Sequence, residues 1–367
     1  MSISFEFMDK LHIANTFFEW ELETAPKMSL SEAFLQHPIF RQLQFLSILY
    51  ADKNDFVLLS DLPDASYWED LSAKGIAIPP YFTLDEKKFS KDFTLESWGP
   101  SQLVAEWAAR RSLRYEIPDW QIVKRVNSKQ FSFEKSPRLP QATLLSDEIQ
   151  TRHWLQSAKG KKVLKTCFGV SGKGHLLIDE RTSWEKIHSF AVKEWNKQLP
   201  VIAEPWVKRV LDFSTQWHID QTGNLSYIGP TICKNDDRGR YQFNLVGDEK
   251  SLFPTHLPFL LEHKKAVEDI LRSIAKMGFF GNIGIDAMLY TLDENPDRIL
   301  LHPVVEINAR KTMGWAALQF QKRYFPNETV RFSFSSSQKG FLPEFVESKQ
   351  GKKVGFSRNI ICANLSQ

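Results

Sequence analysis

Two rhythms of apolar and polar positions assign most of the elements of this chain. The first 50 residues read as mainly helical or irregular, with Leu43, Phe45, Leu46 and Leu49 grouped as on one helix face. Phe56-Val-Leu-Leu59 is a short apolar strand, followed by the turn Ser60-Asp-Leu-Pro-Asp64. Ser66 to Lys74 reads as a helix stopped by Gly75, and Ile76-Ala-Ile78 as the next parallel strand. Trp98-Gly-Pro-Ser101 opens a helix running to Arg111, with Leu103, Val104 and Trp107 on one face. Strand–helix–strand alternation of this kind predicts a small α/β domain.

The pattern then changes. A polar, proline-containing stretch follows Trp120-Gln-Ile-Val123, and Val126 to Leu145 reads as a connection into a second domain. Lys161 to Thr166 is a strand, Cys167 to Gly174 a loop, and His175-Leu-Leu-Ile178 a second strand. Trp184 to Gln198 is a helix, and Val201-Ile-Ala-Glu204 a strand. Phe213 to Ile219 and Leu225 to Ile228 alternate like antiparallel strands about the turn Gln221-Thr-Gly-Asn224. Leu257 to Lys276 is a long helix ended by Gly278. Trp315 to Tyr324 is a helix, and residues 325–367 form a tail with a strand-like Val330-Arg-Phe-Ser-Phe334.

Composition narrows the class. The 367 residues suffice for two or three domains. A net charge of +3 compels neither a nucleic-acid nor a membrane partner, and the basic residues are scattered. Cys167, Cys233 and Cys362 lie far apart and lack metal-ligand spacing, which fits a reducing, cytoplasmic setting. The N-terminus lacks the basic start and apolar core of a signal peptide, and no run is long enough for a transmembrane helix. His175, His218 and His302 have no metal spacing and read as structural.

The chemistry concentrates near the end of the second domain. Val304-Val-Glu-Ile-Asn-Ala-Arg310 reads as a strand, with Pro303 tolerated near its start. Strand side chains alternate faces, so Glu306, Asn308 and Arg310 point one way. That face offers a carboxylate, an amide oxygen and a fixed cation, a set suited to Mg²⁺ and phosphate oxygens. In isolation it equally describes a solvated strand face. Ile283 to Tyr290 is a second strand, with Asp286 among apolar neighbours, where a carboxylate is costly unless paired or metal-bound. A hairpin through Asp293-Glu-Asn-Pro-Asp297 would bring Asp286 beside Glu306 and Asn308.

Other candidates lie upstream. The loop holding Gly169, Ser171, Gly172 and Gly174 exposes backbone N–H groups that suit an anion, or is simply a hairpin tip; it fits neither the P-loop nor the dinucleotide spacing. Lys165 leads into that loop and reads as a phosphate contact or a solvated strand lysine. Glu204-Pro-Trp-Val207 ends a strand with a carboxylate and apolar residues, so Trp206 is ligand wall or core. Asp212 could accept hydrogen bonds from ribose hydroxyls. Lys234, Asp236, Asp237, Arg238 and Arg240 form a charged segment, either a solvated loop or a place where Lys234, Arg238 or Arg240 meets an acid substrate or a γ-phosphate.

In this order, Lys165, the glycine loop, Glu204 to Val207, Asp212, Asp286 and Glu306-Ile-Asn-Ala-Arg310 resemble the ATP-grasp superfamily over roughly residues 125–320. The Trp98-Gly-Pro-Ser101 segment looks like the α/β domain that precedes it, and Asn127-Ser-Lys129 lies where such chains enter the ATP-grasp domain. The resemblance implies a pre-ATP-grasp-like α/β domain over 1–125 and a two-subdomain ATP-grasp fold of α+β type over 126–325. A lid subdomain would span about 150–207, and 326–367 a packed tail.

It implies ATP held by Glu204 and the backbone of Trp206 and Val207 at adenine and by Asp212 at ribose. Lys129, Lys165 and the glycine loop would contact the phosphates, with Lys234 further along. Asp286, Glu306 and Asn308 would hold Mg²⁺, for which Mn²⁺ can substitute, and Arg310 would steady charge developing in the reaction. The activity implied is a carboxylate–amine ligase working through an acylphosphate on small-molecule or peptide substrates; a kinase and a silent nucleotide-binding protein stay open. Self-association is common among such proteins. An arginine that dipeptide-forming relatives place two residues before the metal aspartate is Gly284 here, which argues against a peptidoglycan dipeptide ligase.

Overall fold

The computed structural model describes residues 9–89, 92–158, 160–169, 174–236, 241–347 and 353–364. The chain forms two compact units, one of residues 1–120 with 310–367 and one of residues 121–309.

The first unit opens with β1 (Asp9–Ile13), α1 (Phe18–Thr24), α2 (Leu30–Leu35), α3 (Pro38–Leu43) and α4 (Leu46–Tyr50). Then come β2 (Phe56–Leu59), α5 (Ala65–Ala73), β3 (Tyr81–Thr83), β4 (Phe93–Ser97) and α6 (Gln102–Ala109). The four strands make a parallel sheet in the order β3-β2-β1-β4. Two sequence expectations shift. The early residues are not only helical or irregular, because β1 sits inside this sheet despite opening on Asp9 and Lys10. The third strand is Tyr81–Thr83 rather than Ile76–Ile78: Val57 donates its N–H to the Pro80 carbonyl, so pairing with β2 begins only there. Leu11, Ile13, Phe17, Phe34, Leu58, Phe93, Leu95 and Val104 fill the core.

The turns after β1 and β4 are tied together. Asn15, fully buried, donates to the Gly99 carbonyl at 3.0 Å and accepts from the Trp98 N–H at 2.8 Å. Gly99 is needed for close approach: a Cβ there would lie 2.4 Å from Cγ of Phe18.

The second unit begins within α7 (Trp120–Val126) and continues with α8 (Lys129–Lys135) and β5 (Thr143–Leu145). The expected connector is thus largely structured, with Ser128 capping α8 through the Phe131 N–H. There follow α9 (Glu148–Ser157), β6 (Lys162–Lys165), β7 (His175–Ile178), α10 (Trp184–Trp195) and β8 (Val201–Pro205). These strands form an antiparallel sheet, β5-β8-β6-β7. One face of it packs Leu164, Leu176, Ile178 and Ala203 against Trp154, Ile187 and Ala191 of the helices. By alternation, Val163, Lys165, His175, Ile202 and Glu204 occupy the other face.

Next come β9 (Lys208–Ile219), β10 (Leu225–Asn235), β11 (Tyr241–Val246), α11 (Glu249–Leu252), α12 (Leu257–Lys276), β12 (Gly281–Leu292) and β13 (Asn295–Asn308). Within the unit these strands run in the order β13-β12-β9-β10-β11. The twenty-residue α12 covers one face, and Thr215 on β9 meets His263 of this helix at 2.7 Å. Phe213, Ala287 and Leu289 join Leu260 in that core.

The β12–β13 turn is tighter than expected, with only Asp293 and Glu294 between the strands. Pro303 lies within β13 rather than at its start. It is tolerated because the register shifts there, from Met288 opposite His302 to Asp286 opposite Glu306, and because β13 is an edge strand.

The chain returns to the first unit through α13 (Met313–Tyr324), β14 (Val330–Ser335), β15 (Phe345–Glu347), β16 (Lys353–Gly355) and β17 (Asn359–Asn364). Residues 310–325, assigned from sequence to the second domain, belong with the first, and so does the tail. The reason is packing: Phe320 meets Phe332 and Phe341, the Tyr67 hydroxyl donates to the Phe341 carbonyl, and Lys311 N–H donates to the Trp98 carbonyl.

Replacing Gly99 by Ala should cost about 1–3 kcal/mol of stability through the clash with Phe18. Denaturant unfolding of the variant measures this; an unchanged midpoint would contradict the packing described.

Candidate active site

The face of the β9–β12–β13 layer turned away from α12 is built by alternation alone. If Phe213, Ala287 and Leu289 face the helix, then Asp212, Ser214 and Gln216 on β9 and Gly284, Asp286 and Met288 on β12 face the other way. Thr231, Ser214, Asp286 and Glu306 stand at one rank across four strands. Asn308 donates to the Asp286 carboxylate at 3.1 Å. The expected convergence of Asp286, Glu306 and Asn308 is therefore present.

The outer edge of β13 is finished by side chains from α8 and the residues before it. The Ile307 N–H donates to the Ser132 hydroxyl at 3.0 Å, and the Ala309 N–H to the Asn127 amide oxygen at 2.9 Å. An edge strand otherwise leaves these donors unpaired. The same docking carries Lys129 to Glu306. Its ammonium is buried, bonds Glu306 at 2.7 Å and donates to the Gly169 carbonyl, also at 2.7 Å.

Lys165 and Glu204, on the open face of the second sheet, pair at 2.6 Å and are both buried. Burial alone would push the Glu204 carboxyl up; the Lys165 charge and hydrogen bond outweigh it and hold the group below its usual range. A narrow space of about 10 Å³, room for about one water, lies among these groups, lined by Lys129, Arg138, Lys165, Glu204, His302 and Val305. His302, read from sequence as structural, lines it; burial lowers its pKa to about 4, with Glu204 opposing and Lys165 reinforcing the effect. His175 stands directly opposite Lys165 on β7 and is likewise lowered to about 4, by burial first and then by Lys165 and Lys129. Both imidazoles are neutral at pH 7.

Two expectations need correction, those for Arg310 and Trp206. Arg310 does not share the Glu306–Asn308 face, because β13 ends at Asn308; Arg310 lies in the first unit and pairs with Glu19. The Trp206 N–H is not available to a base, since it donates to the Lys161 carbonyl at 2.8 Å, and the Trp206 ring lies under the Arg209 guanidinium at 4.9 Å. Asp212 is engaged by Arg209 at 3.1 Å and by Asn235 at 2.9 Å. Lys234 alternates away from Thr231 and Cys233 and is exposed. Val207 packs with Met288, Leu139 and Val305, an apolar floor beside the polar face.

Gly174 takes φ +82, and a Cβ there would meet the Thr166 hydroxyl at 2.3 Å, so the loop after β6 must close on glycine. Ser171, Gly172, Arg238 and Arg240 lie outside the described residues. Ser214, Gln216, His302 and the pairing of Lys129 with Glu306 were missed from sequence. Only the polar alternation Asp212, Ser214, Gln216 held a signal for the first two.

Among the described residues no cluster of three His, Cys, Asp or Glu side chains gathers as for a metal. Two carboxylates and an amide oxygen still fit Mg²⁺, which usually takes one or two carboxylates and completes its shell with water and phosphate.

No protein-family model and no curated protein sequence matches this chain. Solved structures do. Phosphoribosylamine–glycine ligase from Thermotoga maritima aligns with a TM-score of 0.54 at 12% identity, over 97% of this chain and 92% of that one. Biotin carboxylase from Campylobacter jejuni, solved as a complex with β,γ-ATP, aligns with a TM-score of 0.51 at 12% identity, over 89% and 85%. The chain has an ATP-grasp fold. The α/β first unit and the two antiparallel layers of the second accord with that architecture. No helix among the described residues is long and apolar enough to cross a membrane.

Replacing Glu204 by Leu strands a buried ammonium and should destabilise the protein by about 3–5 kcal/mol; adding Lys165→Met should recover most of that. The paired carboxylate has a depressed pKa, so its contribution is complete above the unfolded value near 4.3 and fades as pH falls through the folded one. Urea midpoints followed below about pH 4.3 should therefore fall more steeply for the wild type than for the double variant. Equal slopes would mean the pair adds nothing.

Proposed function

We propose that the protein is an ATP- and Mg²⁺-dependent ligase that joins a carboxylate to an amine and releases ADP and phosphate. The observation that supports this most is the rank of Asp286 and Glu306 with Asn308, set beside the buried cations Lys129 and Lys165 on the face of an ATP-grasp fold. The aligned structures include a ligase and a carboxylase described with ATP.

In this reading the nucleotide lies along the cleft between the Lys165–Glu204 layer and the β9–β12–β13 face. Met288, Val207 and Val305 supply apolar surface for a base, and Glu204 an acceptor for its amino group. Asp212, held by Arg209 and Asn235, faces a ribose. Lys129 and Lys165 neutralise phosphate oxygens, with the glycine backbone at Gly169 and Gly174 beside them. Asp286, Glu306 and Asn308 would hold Mg²⁺, with Mn²⁺ a substitute, and the bound ion supplies charge neutralisation along the phosphates. The Lys129 ammonium, now on Glu306, would share that carboxylate or turn to a phosphate.

The chemistry is phosphoryl transfer, which demands positioning and charge neutralisation more than covalent help. A carboxylate oxygen of the substrate takes the γ-phosphoryl group as the bond to the β–γ bridging oxygen breaks, giving an acylphosphate and ADP. The amine nitrogen then attacks the acyl carbon, loses a proton, and inorganic phosphate leaves. Excluding water from the cleft protects the intermediate. Small-molecule or peptide substrates, a cytoplasmic setting and self-association belong to the same proposal.

Phosphorus NMR of the protein with Mg-ATP and a pool of carboxylic acids and amines, with mass spectrometry of the mixture, tests it. ADP, free phosphate and a new condensed mass are expected; a phosphorylated product that persists would make the protein a kinase. Glu306→Gln should lower turnover at least about a hundredfold, since it removes several kcal/mol of charge stabilisation. Gln keeps an acceptor for the Lys129 ammonium but removes its counter-charge, so the unfolding midpoint should fall while circular dichroism still shows a folded chain. Full activity in that variant would sink the assignment.

A further inference from the structure

Glu306, which the reading above gives to the metal, already holds a cation. It accepts from the Lys129 ammonium at 2.7 Å, and the same ammonium donates to the Gly169 carbonyl at 2.7 Å. The Lys129 side chain is 6% exposed and that of Glu306 25%. Parting the two strands a buried charge, which is costly unless another partner meets it.

The backbone delivers Lys129 to this place. Its N–H donates to the Cys167 carbonyl at 2.9 Å, and Ser128 caps the helix that it opens. On either side of it, Asn127 and Ser132 bond the β13 edge next to Glu306. The ammonium is therefore anchored at both ends of its stem, not swinging free in solvent. Lys165 and Glu204 repeat the arrangement at 2.6 Å. The space beside Lys129, Lys165 and Glu204 is about 10 Å³, room for about one water and too small for a phosphate. A polyphosphate enters only if these pairs change partners.

An ammonium and a divalent ion compete for one oxygen. Mg²⁺ sits about 2.0–2.1 Å from a carboxylate oxygen, and two cations that close repel strongly where water is scarce. Phosphate oxygens offer the ammonium an equivalent acceptor, which would leave Glu306 to the metal.

We infer that Lys129 is an internal counter-ion that keeps Glu306 closed to divalent ions until a polyphosphate draws the ammonium away. The inference rests on the nucleotide and metal reading proposed above. Its consequence is coupling: metal and nucleotide each raise the affinity for the other, by linkage through Lys129. Without nucleotide the wild type excludes the ion, and a neutral residue at 129 admits it.

Mn²⁺ titrations of the full chain without nucleotide, followed by electron paramagnetic resonance, test this. Lys129→Gln should bind Mn²⁺ at least about tenfold more tightly than the wild type, within the range that such couplings span. Mn²⁺ should also raise its unfolding midpoint further than it raises that of the wild type. Lys129→Arg, which keeps the charge, should show no gain. Arg138→Gln, which removes a charge from the same space at an exposed position, should show none either. Adding Glu306→Gln to Lys129→Gln should abolish the gain. Circular dichroism checks that Lys129→Gln folds, and Lys129→Met, which keeps the apolar stem, replaces it if it does not. Equal Mn²⁺ affinity in the wild type and Lys129→Gln, lost in both on Glu306→Gln, would overturn the inference and leave the metal assignment standing. A gain that survives Glu306→Gln, or no Mn²⁺ binding to Lys129→Gln at millimolar concentration, would overturn the inference as well. Wild-type binding that ignores Glu306→Gln would take the metal assignment with it.

Discussion

The register of β12 against β13 is the constraint on which the candidate site depends. Side chains alternate with period two, so a slip of one residue would turn Asp286 or Glu306 toward α12 and the apolar core. What fixes the register is the burial of Phe213, Ala287 and Leu289 beneath α12 on one face, and the docking of α8 along the β13 edge. The polar face is therefore a by-product of how the apolar face packs. That is an economical way to hold two carboxylates side by side, since their repulsion is met by the Lys129 ammonium and by the Asn308 amide.

The same logic organises the second sheet of this unit. Leu164, Leu176 and Ala203 commit one face to α9 and α10, which leaves Lys165, His175 and Glu204 on the other. Their burial makes the charges expensive alone and tolerable as a pair. In such a setting His175 and His302 stay neutral, pushed down by burial and by the neighbouring lysines, so the fixed positive charge near the cleft comes from Lys129, Lys165 and Arg138. A polyanion entering there would meet cations already held in place by partners, which limits the reorganisation that binding requires.

Much of this was legible in the sequence where one physical rule dominated. Strand alternation around Asp286 and Glu306, and the length of α12 with its stop at Gly278, survive in the structure. The misses came where tertiary context outweighed local pattern. β1 was hidden because Asp9 and Lys10 begin a strand that pairs on both sides. α7 and α8 were hidden by the polar run around Asn127 and Lys129, whose polar groups serve β13 rather than solvent. Arg310 was placed by extending alternation past the last ladder pair, and the chain had already left the sheet. His302 carried no spacing signal, because its place beside Glu204 and Lys165 is one that only folding creates.

The most direct test of the central claim is a crystal structure with MnADP, using the anomalous signal of manganese to find the ion. The account predicts a peak within coordination distance, roughly 2.0–2.3 Å, of carboxylate oxygens from Asp286 and Glu306, with the diphosphate near Lys129 and Lys165 and the base against Met288 and Val207. Manganese bound elsewhere, or a nucleotide lying away from the β9–β12–β13 face, would contradict it.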